Sequence, residues 1–411
     1  MKRSSWPTTV ALLIIFSLIG GCKKQAKEDY KYVSPAPSVV SSGPPPTDEE
    51  YLDFGRKLEE AIRNADQKAA EDLLRFNSLC ERCISDLGIS QQIQQEIKAG
   101  FVKGSGVLVK QLITQVQNGE ILTSLGLRTI AGQQQLLIRI SGDEGLAYWR
   151  FTLARYPDGT VAAEDIYLVH AGESISQVLR RLFIQILAGS RRDLFAKINK
   201  ADQELVNSLP KIKTMVSDID NNRHQEAYAT YQQLSPSVKQ NKLVLFHALR
   251  AGAQLEDEVY LQLLETYRKK YADDPSLDII LIDYYILKKN QEGLFQCIDR
   301  LEKSIGGDPF LYTLRGNAFL ENKQLKEAKA AYEKAIELEP TLEDAYWQRI
   351  QVALEEGNHE DTLNFLQIII LELDIEITEA SLRDEETYAK FVKSPQFAEF
   401  VKWLKERDAK K

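Results

Sequence analysis

The dipeptide Asp-Pro occurs at a spacing that constrains the architecture of this chain more than any other feature. Asp274-Pro275 recurs as Asp308-Pro309, a period of 34 residues between the two prolines. A fixed period of this size indicates helical pairs stacked on one another, because a single pair cannot bury both of its faces. The sequence therefore predicts that much of the chain forms a stack of helices.

The stretch 309–342 has small and aromatic side chains where a helical pair needs them. The small ones would let two helices approach closely, the aromatic ones would fill the space between repeats, and a proline would end the second helix. The residues concerned are Tyr312, Gly316, Phe319, Ala328, Tyr332, Ala335 and Pro340. This pattern resembles the tetratricopeptide repeat, although Arg315 stands where that family usually has leucine.

Weaker copies of the pattern flank this unit on both sides. Apolar or small residues recur one or two periods before and one period after it, at Ala248, Ala251, Tyr260, Leu264, Ile282, Tyr285, Leu294, Ile298, Tyr346, Ile350, Ala353, Thr362 and Leu366. We therefore predict a repeat domain over residues 191–374 with about four or five helical pairs. Residues 375–411 are expected to form capping helices, since Ser394-Pro395 can open a helix with an apolar side.

The resemblance also implies a binding surface. In tetratricopeptide proteins the first helices of successive pairs line a concave groove that receives a peptide or a partner helix. Carrying the family's groove positions over to this sequence gives Phe310, Thr313, Asn317, Leu320, Glu321, Trp347, Gln351, Leu354 and Glu355. Asn317 matches the subset of repeats that clamps a carboxylate, but Thr313 replaces the lysine which that clamp needs.

Trp347 is the strongest single candidate for a binding residue among these positions. Large aromatic side chains dominate the binding energy of many protein interfaces. The alternative is that Trp347 fills an ordinary packing position between helices.

Residues 48–190 show a different pattern, of helices followed by alternating strands. Thr47-x-x-Glu50 reads as a capping box ahead of an amphipathic helix, and the helical period then gives way to a period of two. Strands are predicted at 122–130, 134–141, 146–156 and 160–170, with Ala147, Trp149, Phe151 and Leu153 on one face of the third. This element order resembles the nuclear transport factor-like cone, a fold used both by small enzymes and by inert adaptors.

The first 47 residues resemble a targeting signal followed by a flexible linker. Lys2 and Arg3 precede an apolar run, and Ile19-Gly20-Gly21-Cys22 resembles the lipobox of bacterial lipoproteins. The resemblance implies a signal peptide at 1–21 and acylation of Cys22. It also implies a location in the cell envelope, where we expect the protein to be anchored in the outer membrane and to face the periplasm. An uncleaved signal anchor is the alternative, but its apolar run is shorter than the ~20 residues of a spanning helix. Residues 22–47 are predicted to be a disordered Pro/Ser-rich tether.

No arrangement typical of catalysis is apparent in the sequence. Cys80-x-x-Cys83 is open to four interpretations, a redox pair, a metal half-site, a local disulfide or two small buried residues, and Cys297 is expected in a helical core. The four histidines lack metal-ligand spacing. The remaining enzymatic hypothesis is a pocket in the cone, with Glu164 and His170 on one face of a strand and Asp165 and Tyr167 on the other.

The charge of the chain argues against nucleic acid as its partner. The formal net charge is −8, and the basic pairs Arg180-Arg181, Arg191-Arg192 and Lys269-Lys270 are scattered, which disfavours nucleic acid.

The sequence thus predicts a mainly α protein, with a tetratricopeptide-type solenoid preceded by a smaller α+β domain that has a four-stranded antiparallel sheet. Its predicted function is a non-enzymatic, membrane-anchored scaffold without a metal or a cofactor other than the lipid on Cys22. Small-ligand binding or enzymatic activity in the α+β domain, and a self-associating structural role, are the alternatives.

Overall fold

A computed structural model of the chain describes residues 34–40, 43–87, 89–142, 145–190 and 200–409. It divides into two compact units, Met1–Asn290 and Gln291–Lys411. The predicted domain borders after residues 190 and 374 therefore fall inside these units. Residues 1–22, with the predicted signal peptide and the predicted lipidation of Cys22, lie outside the described residues, so both stay predictions. The mainly helical fold class with a preceding antiparallel sheet is confirmed.

The first unit opens with helices that carry one apolar face. As predicted, helix α1 begins with a capping box, in which Thr47 Oγ1 accepts from the Glu50 amide and the Glu50 carboxylate accepts from the Thr47 amide at 2.8 Å. This arrangement satisfies two of the amide groups that a helix start leaves unpaired. The first four helices among the described residues are α1 (Asp48–Arg63), α2 (Gln67–Leu74), α3 (Phe76–Ser85) and α4 (Gln91–Gln117).

A five-stranded antiparallel meander follows in the described part of the first unit. Its strands are β1 (Ile121–Ile130), β2 (Gln133–Gly142), β3 (Gly145–Arg155), β4 (Val161–Leu168) and β5 (Glu173–Ser174). The prediction of four strands is wrong by one, because β5 has two residues and is too short to show alternation. It pairs with β4 after a turn in which Gly172 adopts a positive φ of 67°, a conformation that glycine reaches without steric cost.

The helices and the sheet share one apolar core. Trp149, Phe151 and Leu153 face it from β3 as predicted, and the ring of Phe151 lies 5.5 Å from that of Phe54 on α1. Helix α5 (Ile175–Ser190) adds further apolar side chains to the same core. Because large aromatic residues contribute most of the buried area, this cluster holds the α+β part together.

Six further helices follow in the described residues of the first unit. They are α6 (Lys200–Asp220), α7 (His224–Gln232), α8 (Pro236–Lys239), α9 (Lys242–Gly252), α10 (Asp257–Lys270) and α11 (Leu277–Leu287). Successive helices pack on one another, and the positions predicted from the 34-residue period at Ala248, Ala251, Tyr260 and Leu264 are all buried. The degenerate pattern therefore marks side chains that form the helical core.

A buried ion pair joins the sheet to these helices within the first unit. Lys242 Nζ lies 2.6 Å from Asp274 Oδ2 and also donates to the backbone carbonyl of Ala171, in the turn between β4 and β5. Asp274 in turn accepts from the amide of Ser276 at 2.9 Å, just before α11 begins. Asp274 thus fixes the backbone just ahead of α11 and also holds Lys242 against the sheet.

The second unit consists of helices and short turns. Its helices are α12 (Gln291–Ile305), α13 (Phe310–Glu321), α14 (Leu325–Leu338), α15 (Glu343–Glu356), α16 (His359–Glu372), α17 (Glu379–Asp384) and α18 (Pro395–Asp408). Helix α18 packs on α16, and it begins at Pro395 with Ser394 as its N-cap, as the sequence predicts. Nowhere among the described residues does a helix combine the length and the apolar character needed to cross a membrane.

Candidate interaction surface of the helical repeat

Helices α13 and α14 form a tight antiparallel pair around one glycine. A Cβ atom at Gly316 would lie 2.3 Å from the ring of Tyr332, closer than any side chain tolerates. Tyr332 is fully buried, which raises the pKa of its hydroxyl, and that hydroxyl donates to Asn317 Oδ1 at 2.8 Å. The position of the Tyr332 ring therefore leaves room for no side chain larger than glycine's at position 316.

The next pair, α15 and α16, is joined to α14 by a buried guanidinium. Arg349 is 1% exposed, and it donates to Asp361 at 2.6 Å and to Glu333 at 3.2 Å. Burial acts to raise the pKa of Asp361, but Arg349 and Lys329 together outweigh it and hold that pKa below its usual value. Charged groups on three helices thus meet at one point, which fixes the stacking of neighbouring pairs.

Helices α13 and α15 pack side by side, and the predicted groove positions lie on them. On α13, Phe310 and Leu320 are partly exposed, and each packs against a small apolar cluster. Asn317 is partly exposed but accepts the hydroxyl of Tyr332. Thr313 is only 2% exposed, so this side chain is not available at the surface.

Three of the four predicted positions on α15 differ in how strongly their side chains are held. Trp347 is partly exposed, its Nε1 donates to Glu343 at 2.8 Å, and its ring packs against an apolar cluster built from residues 346–404. Leu354 packs against the same cluster. The side chain of Gln351 is partly exposed and forms no hydrogen bond with the described residues. Gln351 is therefore the position that a partner can contact with least disturbance of the fold.

Negative charge is concentrated in the second unit. Residues 291–411 contain 25 acidic and 16 basic side chains, out of 60 and 52 in the whole chain, so the excess of acid lies here. Glu321 and Glu355, predicted at the ends of the groove helices, are both exposed, and Glu355 pairs with Lys323 at 3.1 Å. A surface of this kind attracts a basic partner and repels an acidic one.

The cysteine pair of α3 lies in the core of the α+β part. Cys80, Cys83 and Cys297 are free thiols, so the disulfide considered for Cys80 and Cys83 is not present. The two residues are three apart on a helix, which puts both on its buried face. Burial raises the pKa of Cys80 to about 12 and that of Cys83 further, so both are protonated at neutral pH and weak nucleophiles.

The structure separates the two residues of the hypothetical acid-base pair. A β-bulge leaves Glu164 unpaired between Ala163 and Asp165, which breaks the alternation assumed from the sequence. Glu164 accepts from the amide of Val39, whereas His170 lies beyond the end of β4 and stacks on Phe246 at 5.8 Å. The two side chains therefore take part in different contacts.

The other residues of that hypothesis are also engaged. Burial raises the pKa of Asp165, although hydrogen bonds from the hydroxyl and amide of Ser176 oppose the shift. Tyr167 lies under the guanidinium of Arg150, at 4.0 Å from the ring centre. Over the described ranges, no group of three or more histidine, cysteine or acidic side chains could hold a metal ion.

Comparison with known proteins bears on one segment of the chain. Residues 309–342 match the tetratricopeptide repeat, the same stretch whose Gly316 and Tyr332 interlock. No curated protein matches the chain.

Proposed function

We propose that this protein is a scaffold that binds a protein partner through the helical repeats of its second unit. The observation that carries the proposal is the tetratricopeptide repeat at residues 309–342, since such repeats commonly present a surface to other proteins. The adjoining pair α15–α16 supports it, because α13 and α15 lie side by side as a groove requires.

The charge of the second unit supports a basic partner segment. Between residues 350 and 389 the chain has eleven acidic side chains and one basic one, Arg383. We expect such a partner to associate faster at low salt, because screening shortens the range of electrostatic attraction. An amphipathic helix with lysine or arginine on one face fits both the groove and the charge.

We also propose that the scaffold is held at a membrane by lipid on Cys22. The support is the sequence Ile19-Gly20-Gly21-Cys22 after an apolar run. Replacing Cys22 by alanine is expected to abolish labelling with a palmitate analogue, and persistent labelling would contradict the anchor.

Photo-crosslinking from α15 tests the scaffold most directly. A benzoylphenylalanine is introduced at Gln351 in the full chain, the cells that produce it are irradiated, and adducts are identified by mass spectrometry. We expect a defined protein adduct from position 351 and none from Glu337, whose side chain is 67% exposed on α14.

A charge substitution then tests specificity. Gln351→Arg is expected to weaken capture of that partner about tenfold, a change of about 1.4 kcal/mol in binding free energy. Gln296→Arg makes the same change at an exposed position of α12 and is expected to leave capture unchanged. Equal loss in both variants, or no adduct at position 351, would contradict binding at this surface.

A further inference from the structure

The segment 34–40, here called the N-terminal strap, lies extended against the α+β part. Its sequence is SPAPSVV, and it belongs to the stretch predicted as a free tether. The amide of Ala36 donates to Ser176 Oγ at 3.1 Å, and the amide of Val39 donates to Glu164 Oε1 at 2.9 Å. Between them, Arg82 Nη1 donates to the carbonyl of Pro37 at 2.8 Å. Three backbone groups of the strap are thus bound by side chains of the folded body.

Two side chains of the strap, three residues apart, face the body. Ala36 packs against the main core and Val39 against the cluster of Ala154, Tyr156 and Ala162, whereas the neighbouring Val40 is 84% exposed. A polyproline II helix has three residues per turn, so positions three apart lie on the same side. The strap therefore presents two small apolar side chains to the body with a proline between them.

The receiving groups come from three different elements and are themselves fixed. Glu164 is the unpaired residue of the bulge in β4, and Arg82 of α3 also donates to the Glu164 carbonyl. Ser176 of α5 donates its hydroxyl to Asp165. Because bulges commonly redirect a side chain, the bulge explains why Glu164 points to the strap and not into the helix-facing core.

We propose that the α+β part contains a groove for an extended peptide with small apolar residues three apart, and that its occupant is the chain's own strap. The groove recognises backbone groups through Arg82, Glu164 and Ser176. Being part of the same chain, the strap is present at a high effective concentration and needs few contacts to stay bound. The groove acts as a clamp that sets where the N-terminal segment leaves the body.

The clamp has a consequence for reach, which rests on the proposed lipid anchor. Without it, about 25 residues would separate Cys22 from the start of α1, a maximal span of about 85 Å at the usual rise per extended residue. With the strap bound, about 12 residues remain before Ser34, and the maximal span falls to about 40 Å. The clamp would thus hold the body closer to the membrane.

Hydrogen exchange on the purified full chain, resolved to single amides, tests the clamp. We expect the amides of Ala36 and Val39 to exchange at least tenfold more slowly than those of Ser38 and Val40. Val39→Asp puts a charge into the apolar contact and is expected to remove this protection. Val40→Asp makes the same change at the exposed neighbour and is expected to keep it.

Glu164→Ala provides a second variant that does not alter the strap. It removes the acceptor of the Val39 amide and is expected to speed exchange there about tenfold, while amides of β2 and β3 keep their protection and show that the fold is intact. Exchange of the wild-type strap at the rate of an unstructured peptide would overturn the clamp. So would protection that appears only at high protein concentration, because the occupant would then be a second copy. The assay contains neither partner nor membrane, so its failure leaves the scaffold and the anchor untouched.

Discussion

The repeat unit at 309–342 and the α+β part at 48–190 are held together over very different distances along the chain. In the repeat, the hydroxyl of Tyr332 reaches Asn317, 15 residues away. In the α+β part, the hydroxyl of Tyr51 contacts Gln134 and Leu153, at separations of 83 and 102 residues. Local contacts leave a period in the sequence, whereas contacts between distant segments do not. The repeat can therefore be predicted from the sequence in more detail than the long-range contacts of the α+β part.

The first test of this comparison is to remove a long-range core contact. Phe151→Ala deletes a fully buried ring that packs on Phe54, and we expect it to lower the free energy of unfolding of the first unit by about 3–5 kcal/mol. Leu52→Ala, at a position 51% exposed on α1, should change it by less than about 0.5 kcal/mol. Denaturant unfolding followed by circular dichroism measures both. A small effect of Phe151→Ala would show that the sheet core is not the main source of stability.

The second test breaks the link between the sheet and the following helices. Lys242→Met leaves Asp274 without its cation in a largely buried site, and we expect a loss of about 3 kcal/mol. Lys269→Met removes a lysine that is 71% exposed and paired with Glu265, and should cost at most about 0.5 kcal/mol. Similar losses in the two variants, by the same denaturation assay, would mean that the buried pair does not stabilise the junction.

The third test concerns the repeat and uses the interlocked glycine. Gly316→Ala in an open helix would stabilise by about 1 kcal/mol, but here the added methyl group meets the ring of Tyr332, so we expect a loss of about 1–3 kcal/mol. With Tyr332→Ala already present, the same substitution should become neutral or favourable. A thermodynamic double-mutant cycle measures this coupling. If the two substitutions have additive effects, contact with the Tyr332 ring is not the reason why position 316 needs glycine.

The last test concerns how the free energy of unfolding of the first unit depends on pH. Burial, helped by nearby Lys242, lowers the pKa of His170 from 6.5 to about 3, and burial also lowers that of His247. Both are neutral when folded, but take up a proton on unfolding below pH 6.5. The free energy of unfolding is therefore highest above pH 6.5. Below it, His170 lowers the free energy of unfolding by up to about 1.4 kcal/mol per pH unit until its folded pKa near 3 is reached, and His247 acts in the same direction.

Unfolding measured between pH 7 and 5 tests this effect. His170→Phe, which keeps a ring against Phe246, should have a shallower pH slope than the wild-type protein. An unchanged slope would show that His170 is not responsible.

Several elements of the α+β part were predictable because their signals are local. The capping box at Thr47 and the inward face of β3 are confirmed, and the strand ends agree within a few residues. The bulge at Glu164 was not predictable, since it depends on how β4 pairs with β3 and leaves no mark in the alternation. For the same reason, the placement of Glu164 and His170 on one strand face, assumed in the enzymatic hypothesis, does not hold.

The two proposed surfaces, the repeat groove and the strap groove, were also predictable only in part. Groove positions on α13 and α15 follow from the repeat pattern, but the burial of Thr313 and the hydrogen bond of Trp347 depend on neighbouring helices. The strap went unrecognised because its Pro/Ser composition is typical of a linker. The spacing of Ala36 and Val39 could have indicated a bound segment, but only if the groove that receives these two side chains had been known.

The sequence by itself determined the 34-residue helical repeat, the helix caps and the helix-then-strand order of the α+β part. Each of these depends on residues a few positions apart or on a period, which composition and spacing record directly. The tertiary structure alone decided that Glu164 receives the strap, that Lys242 joins the sheet to the helices and that His170 is buried against Phe246. Those roles depend on which distant segments meet, and the free energy of such contacts belongs to the fold as a whole.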